Sequence, residues 1–174
     1  MDILCAACQG RRPAFASCCA PLRYEFPVDS ALKSLKFRRQ LVYAAAFSSL
    51  LSAELETRFA DTDALLPVPL HRLRQAARGF NQAQELCRPL QKATGLPLLC
   101  NVRRVRATLP QSGLDANKRR QNLRHAFAVN GQLHARRPLI VDDVMTTGQT
   151  CDELARLLLQ SGASEVRVLV VARA

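Results

Sequence analysis

Residues Leu139 to Thr150 read LIVDDVMTTGQT, and the way this stretch is understood decides the fold. Leu139 to Val141 is an apolar run of strand character, followed at once by two acids and a turn rich in Thr and Gly. In an open parallel sheet, ligands sit beyond the carboxyl ends of the strands, where Asp142 to Thr150 would lie. A Thr- and Gly-rich turn opening a helix offers unpaired backbone amides, hydroxyl donors and the positive end of the helix dipole, a combination that holds a phosphate dianion. Gly148 has no Cβ to obstruct that approach. Asp142 and Asp143 repel each other when ionised and need partners such as sugar hydroxyls, a metal ion or nearby cations. A ribose diol beside a bound phosphate would supply them. The plainer alternative is a strand-to-helix turn in which Thr150 and Asp152 act as helix caps.

Outward from this stretch, a helix is predicted from about Cys151 to Gln160, a stop at Gly162 and a strand at Val166 to Val170. Both strands are nearly continuous in apolar residues, so each should be buried on both faces, as in a parallel sheet covered by helices. Upstream, ALLPVP at Ala64 to Pro69 reads as a strand that opens into a basic loop, HRLRQAARGFNQA. A helix follows with Ala83, Leu86, Cys87 and Leu90 facing inward and Gly95 as its stop. A short strand is predicted around Leu98 to Val102, then a polar, Arg-rich stretch from Arg103 to Arg124 with little reason to pack. Between about Ser30 and Phe59 the spacing is helical, with Leu41, Ala44, Ala45, Phe47, Leu51 and Leu55 on one stripe, giving one or two helices. Residues 1–27 differ, with four cysteines, several turn formers and no periodicity, and are predicted to form a small appendage to a main domain at 28–174.

The composition agrees with this plan. A chain of 174 residues, 48% of them hydrophobic, can bury a substantial core. A net charge of +11 points to phosphate partners, in nucleic acid or sugar phosphates alike. The start of the chain has no basic stretch leading into an apolar run, so a cytoplasmic protein is expected. The longest apolar region, Leu41 to Leu51, is too short and too Ser-interrupted to span a bilayer. In a reducing compartment the seven cysteines are thiols or metal ligands rather than disulfides. Cys5 and Cys8 have the CxxC spacing that lets two thiolates share a tetrahedral zinc. The second pair is irregular: Cys18 and Cys19 are adjacent, and Ala16 stands where a partner for Cys19 would be. A four-cysteine zinc cluster, a three-cysteine remnant and an empty site remain open. Cys87, Cys100 and Cys151 read as small buried apolar residues.

The apolar strand, DDVMTTGQT and the amphipathic helix together resemble the phosphoribosyl pyrophosphate signature of type I phosphoribosyltransferases. With RGFNQA at Arg78 to Ala83, the Arg103 to Phe127 stretch and the cysteines, nearly the whole chain resembles the ComF family of competence-associated proteins, GntX-like members included. The resemblance implies an α/β, parallel-sheet fold with a zinc-finger-like appendage. It implies that Asp142 and Asp143 contact ribose hydroxyls, that Thr146, Thr147, Gly148, Gln149 and Thr150 wrap a 5-phosphate, and that magnesium bridges pyrophosphate and ribose oxygens. Arg74, Arg78 and Asn81 would face the pyrophosphate, and Gln111, Ser112, Gly113, Arg120 and Asn122 would mark a mobile loop that closes over the site. Two functions compete. One is transfer of phosphoribose to an unidentified acceptor with loss of pyrophosphate, although no base-recognition hood is evident. The other is a non-catalytic module of the DNA-uptake machinery that binds single-stranded DNA alongside other uptake proteins.

Overall fold

The computed structural model describes Gly10, residues 12–106 and residues 125–174. Cys5, Cys8, Gln111, Ser112, Gly113, Arg120 and Asn122 lie outside the described residues.

The first two strands, β1 (Ser17–Cys19) and β2 (Leu22–Arg23), precede helices α1 (Val28–Arg38) and α2 (Val42–Arg58). Strand β3 (Ala64–Pro67), a short helix α3 (Arg72–Arg78) and helix α4 (Gln82–Thr94) follow. After β4 (Val102–Arg104) and β5 (Phe127–Val129) come β6 (Pro138–Met145), α5 (Gln149–Gln160) and β7 (Arg167–Arg173). The main sheet is parallel throughout: β3 pairs with β6, β6 with β7, and both β1 and β2 with β7. Residues 17–23, assigned from the sequence to the appendage, are therefore strands of this sheet. Two- and three-residue strands carry too little alternation to be recognised in advance.

Each face of the sheet carries its own core. On one face Leu65, Leu139, Val141 and Leu169 pack against Leu32 and Leu35 of α1, Leu51 and Leu55 of α2, and Leu86 and Leu90 of α4. On the other, Leu66, Ile140, Val168 and Val170 pack against Leu154, Ala155 and Leu158 of α5, with Val102 and Phe127 of the antiparallel β4–β5 pair. Consecutive strand residues thus alternate between the two cores, as the pleat demands. The predicted stripe of α4 is buried in full, and Gly95, at φ 72°, ends that helix as expected. In α2, Ala44, Phe47, Leu51 and Leu55 are buried, whereas Leu41 and Ala45 face outward.

Three elements differ from the sequence reading. The basic segment after β3 is a helix, α3, none of whose residues is buried. A helix without an apolar stripe leaves no periodic signal. Its limits are set by His71, whose Nδ1 accepts from Leu73 N at 3.3 Å, and by Gly79 in the left-handed region. Leu98 makes only an isolated bridge to Leu65, and the strand begins at Val102. Finally, β6 continues through both acids to Met145, with Asp142 in register with Val170.

Candidate phosphate and ribose site

The site stands at the carboxyl end of the central strand β6. There Asp142 and Asp143 still belong to the strand, so their side chains diverge onto opposite faces. Asp143 is 3% exposed, and its Oδ2 lies 2.7 Å from Lys36 Nζ, an ion pair that ties α1 to the site. Its Oδ1 accepts from Val144 N at 2.9 Å, while Asp142 Oδ1 accepts from Asp143 N at 2.9 Å. Burial, with the charge of Asp143 as a second cause, pushes the Asp142 carboxyl well above its ordinary range, and Lys36 only partly opposes this. The pair therefore sets an acid held in an ion pair next to one that resists ionisation, a pattern typical of functional sites.

Beyond Met145 the chain turns through exposed Thr146 and Thr147 to Gly148, at φ 72° and ψ 0°. A side chain at Gly148 would have room, its nearest neighbour being Met145 Sδ at 3.5 Å. It is the left-handed backbone that calls for glycine here. Gly148 is also the N-cap of α5, and that helix start has no side-chain cap. The alternative with Thr150 and Asp152 as caps is not what forms. Asp152 Oδ1 accepts from Ala14 N at 2.7 Å, and its Oδ2 pairs with Arg156 Nη2 at 2.7 Å. Of the predicted phosphate residues, Thr146, Thr147 and Gly148 form the bend after the strand and Gln149 and Thr150 open α5.

The basic residues expected on the pyrophosphate side are split. Arg74 is half-buried on α3 near Arg104. Arg78 bonds through Nη1 to Gln82 Oε1 at 3.2 Å and stacks over Phe37, 5.4 Å from the ring centroid. Asn81 is engaged in the fold: its Oδ1 caps α4 through Ala83 N at 3.0 Å, and its Nδ2 donates to Val68 O at 3.1 Å.

Sequence reasoning missed two residues, Lys36 and Arg104. Lys36 follows Leu32 and Leu35 on the inward stripe of α1, and a lysine on such a stripe is the available signal. Arg104 shares the inward face of β4 with Val102; it is 8% exposed and lies 5.4 Å over the Phe127 ring. Burial holds its pKa down, Arg74 adds to this, and Asp142 opposes it.

Cys18 and Cys19 point to opposite faces, Cys18 Sγ lying 3.8 Å from Met145 Sδ and Cys19 Sγ 3.2 Å from Glu54 Oε2. Burial and the Glu54 hydrogen bond push the Cys19 thiol up to about 12. Neighbouring strand residues diverge, so the two thiols face the two different cores. Among the described residues no group of three or more His, Cys, Asp or Glu is placed to hold a metal. A cleft of about 290 Å³, lined by His125, Phe127, Glu153 and Arg156 among others, runs along the flank of α5 and not over residues 142–150. No helix among the described residues is long and apolar enough to cross a membrane.

A parallel sheet, an acid pair near the carboxyl end of a central strand and a glycine-bearing bend leading into a helix define the class, and residues 76–174 match the phosphoribosyl transferase domain family. The chain is 35% identical to Competence protein F of Haemophilus influenzae over 98% of its own length and 78% of that protein. It is 36% identical to DNA utilization protein YhgH of Escherichia coli O157:H7, over 97% of this chain and 77% of the relative. Against Competence protein ComFC of Streptococcus pneumoniae the identity is 28%, over 85% and 66%. The chain belongs to the ComF family of proteins built on the phosphoribosyl transferase domain.

Proposed function

We propose that the chain binds phosphoribosyl pyrophosphate, or a related ribose phosphate, at the carboxyl end of β6 and serves in DNA uptake. The observation that carries this is the junction of the Asp142–Asp143 pair with the uncapped turn at Gly148. In this reading the 5-phosphate accepts hydrogen bonds from the amides and hydroxyls of Thr146 to Thr150. The ribose diol donates to Asp142, which Asp143 and Lys36 back from the other face, and Arg74, Arg78 and Arg104 face the pyrophosphate. Magnesium, when bound, neutralises pyrophosphate charge; with Asp143 already paired to Lys36, Asp142 is the protein oxygen donor left to meet it. A zinc near the amino terminus would draw on Cys5 and Cys8 and on at most one of Cys18 and Cys19.

The names of the relatives support the uptake role, which we extend to this chain together with a cytoplasmic location and other uptake proteins as partners. Calorimetric titration of phosphoribosyl pyrophosphate with magnesium tests the binding. The Asp142→Asn, Asp143→Asn double substitution should weaken affinity at least tenfold, about 1.4 kcal/mol or more. Equal binding by variant and wild type would remove the acid pair from the site. Bound ligand would then justify a search for pyrophosphate release with candidate acceptors.

The net charge of +11 and the outward-facing Arg72, Arg103 and Arg106 favour a second reading, a non-catalytic module that binds single-stranded DNA. A fluorescent oligonucleotide should then bind with steep salt dependence, and changing Lys118, Arg119 and Arg120 to Glu should weaken it. Unchanged binding in that variant would exclude those residues as the DNA tether.

A further inference from the structure

We propose that Lys36 is a positioning residue for ribose recognition: it pins Asp143 so that Asp142 is held to receive the sugar hydroxyls, an inference that rests on the ribose-phosphate reading. Lys36 Nζ lies 2.7 Å from Asp143 Oδ2, and the two side chains are 24% and 5% exposed. Lys36 belongs to α1, which precedes the segment 76–174 that matches the phosphoribosyl transferase domain. The counter-charge of the acid pair is therefore supplied by a helix outside that segment. Leu32 and Leu35, both fully buried, already dock α1 on the sheet. A buried ion pair adds little net stability over apolar contacts of the same size, whereas it can fix one arrangement of the groups it joins.

What the pair fixes is the end of β6. Strand β3 is in register with β6 only as far as Val141. The register with β7 passes from Asp142 and Val170 to Val144 and Ala172, and among the described residues Asp143 has no register partner. At that position the side chain is the anchor. Its Oδ2 meets Lys36, its Oδ1 accepts from Val144 N at 2.9 Å, and the Asp143 N–H donates to Asp142 Oδ1 at 2.9 Å. Lys36 and Asp142 are thus joined through a single residue, so the carboxyl offered to the sugar takes its place from α1. One oxygen of Asp142 is engaged by the Asp143 amide, and the second is left for a ribose hydroxyl. Without the lysine charge, a buried Asp143 carboxylate must move toward water, and the amide that orients Asp142 moves with it. The bend and helix start from Thr146 to Thr150 lie outside this chain of contacts, so phosphate binding there is independent of Lys36.

Calorimetry with ribose 5-phosphate and with 2-deoxyribose 5-phosphate, on wild type, Lys36→Arg and Lys36→Met, tests this. Wild type should prefer the ribose form roughly tenfold, the scale of one hydrogen bond to a charged group. Lys36→Arg should keep that preference and Lys36→Met should lose most of it, with 2-deoxyribose 5-phosphate affinity unchanged throughout. The Lys36→Met, Asp143→Asn double variant leaves no buried charge unpaired, which guards against a folding defect, and it should lack the preference as well. A preference that survives in Lys36→Met or returns in the double variant overturns the positioning role, as does an equal loss of affinity for both ligands. A wild type that binds the two ligands equally also overturns it and leaves the phosphate site standing. Failure of wild type to bind either ligand overturns the ribose-phosphate reading and this inference with it.

Discussion

The two ends of the parallel sheet both gather acids and arginines, and they treat them in opposite ways. At the amino end, Arg167 is 7% exposed and lies among acids. It reaches Asp61 Oδ1 at 2.6 Å, Glu165 Oε1 at 3.2 Å and Thr62 Oγ1 at 3.3 Å, and it stacks over Phe59. The Arg167 hydrogen bond holds the Asp61 carboxyl below its ordinary range. Asp63 accepts from the backbone N–H groups of Arg136 and Arg137. At the carboxyl end, burial drives Asp142 the other way, two arginines crowd together, and a backbone turn is left without a side-chain cap. At the amino end the arginines and acids hold one another in ion pairs that serve the fold. At the carboxyl end a buried carboxyl is pushed up rather than down, the kind of perturbation that marks a candidate site.

That contrast can be broken from either side, and the largest effect should come from the amino end. Arg167→Ala removes one of the two arginines paired with Asp61 and empties the space over Phe59. It should cost about 3 kcal/mol, a fall in Tm of roughly 6–12 °C for a chain of this size, with ribose-phosphate affinity unchanged by calorimetry. Lys36→Met should cost about 2 kcal/mol by leaving Asp143 buried and uncompensated, and most of that should return in the Lys36→Met, Asp143→Asn double variant. A double variant as unstable as the single one would mean that the lysine stem, and not its charge, does the stabilising.

Gly148→Ala should cost about 1 kcal/mol through its left-handed backbone alone, because the added Cβ meets nothing closer than 3.5 Å. The smallest effect should have the opposite sign. Asp142 keeps its proton to higher pH in the folded chain than in the unfolded one, so it erodes stability as pH rises above the ordinary carboxylate range of 3.8. Asp142→Asn should therefore raise Tm by a few degrees at pH 7.5 and by nothing near pH 3, while weakening ligand binding. A uniform shift at both pH values would show that desolvation of this carboxylate is not the cause.

Much of this arrangement was legible in the sequence because one segment combined several signals. The apolar run of β6, the acids behind it and Gly148 before an amphipathic helix marked the strand, the bend and the helix of the candidate site without three-dimensional information. The stripe of α4 and its Gly95 stop were equally plain. What escaped was whatever depends on partners distant in sequence. The pairing of Lys36 with Asp143 spans more than half the chain, and nothing local distinguishes Lys36 from a solvated lysine except its place on an inward stripe. Arg104 was hidden in a basic stretch, where only strand alternation sets it apart. The joining of residues 17–23 to β7 is a long-range parallel pairing with no local signature. Asn81, expected to face a ligand, is instead used by the fold as a helix cap.

The central claim is that the segment from Asp142 to Thr150 is the ribose-phosphate site, and backbone amide chemical-shift mapping tests it residue by residue. Added phosphoribosyl pyrophosphate with magnesium should move the amides of Asp143 and of Thr146 to Thr150 most, those of Arg74 and Arg104 less, and those of Asp61 and Arg167 hardly at all. Shifts concentrated along the flank of α5 between Glu153 and Gln160, or no shifts in the 142–150 segment at saturating ligand, would contradict it.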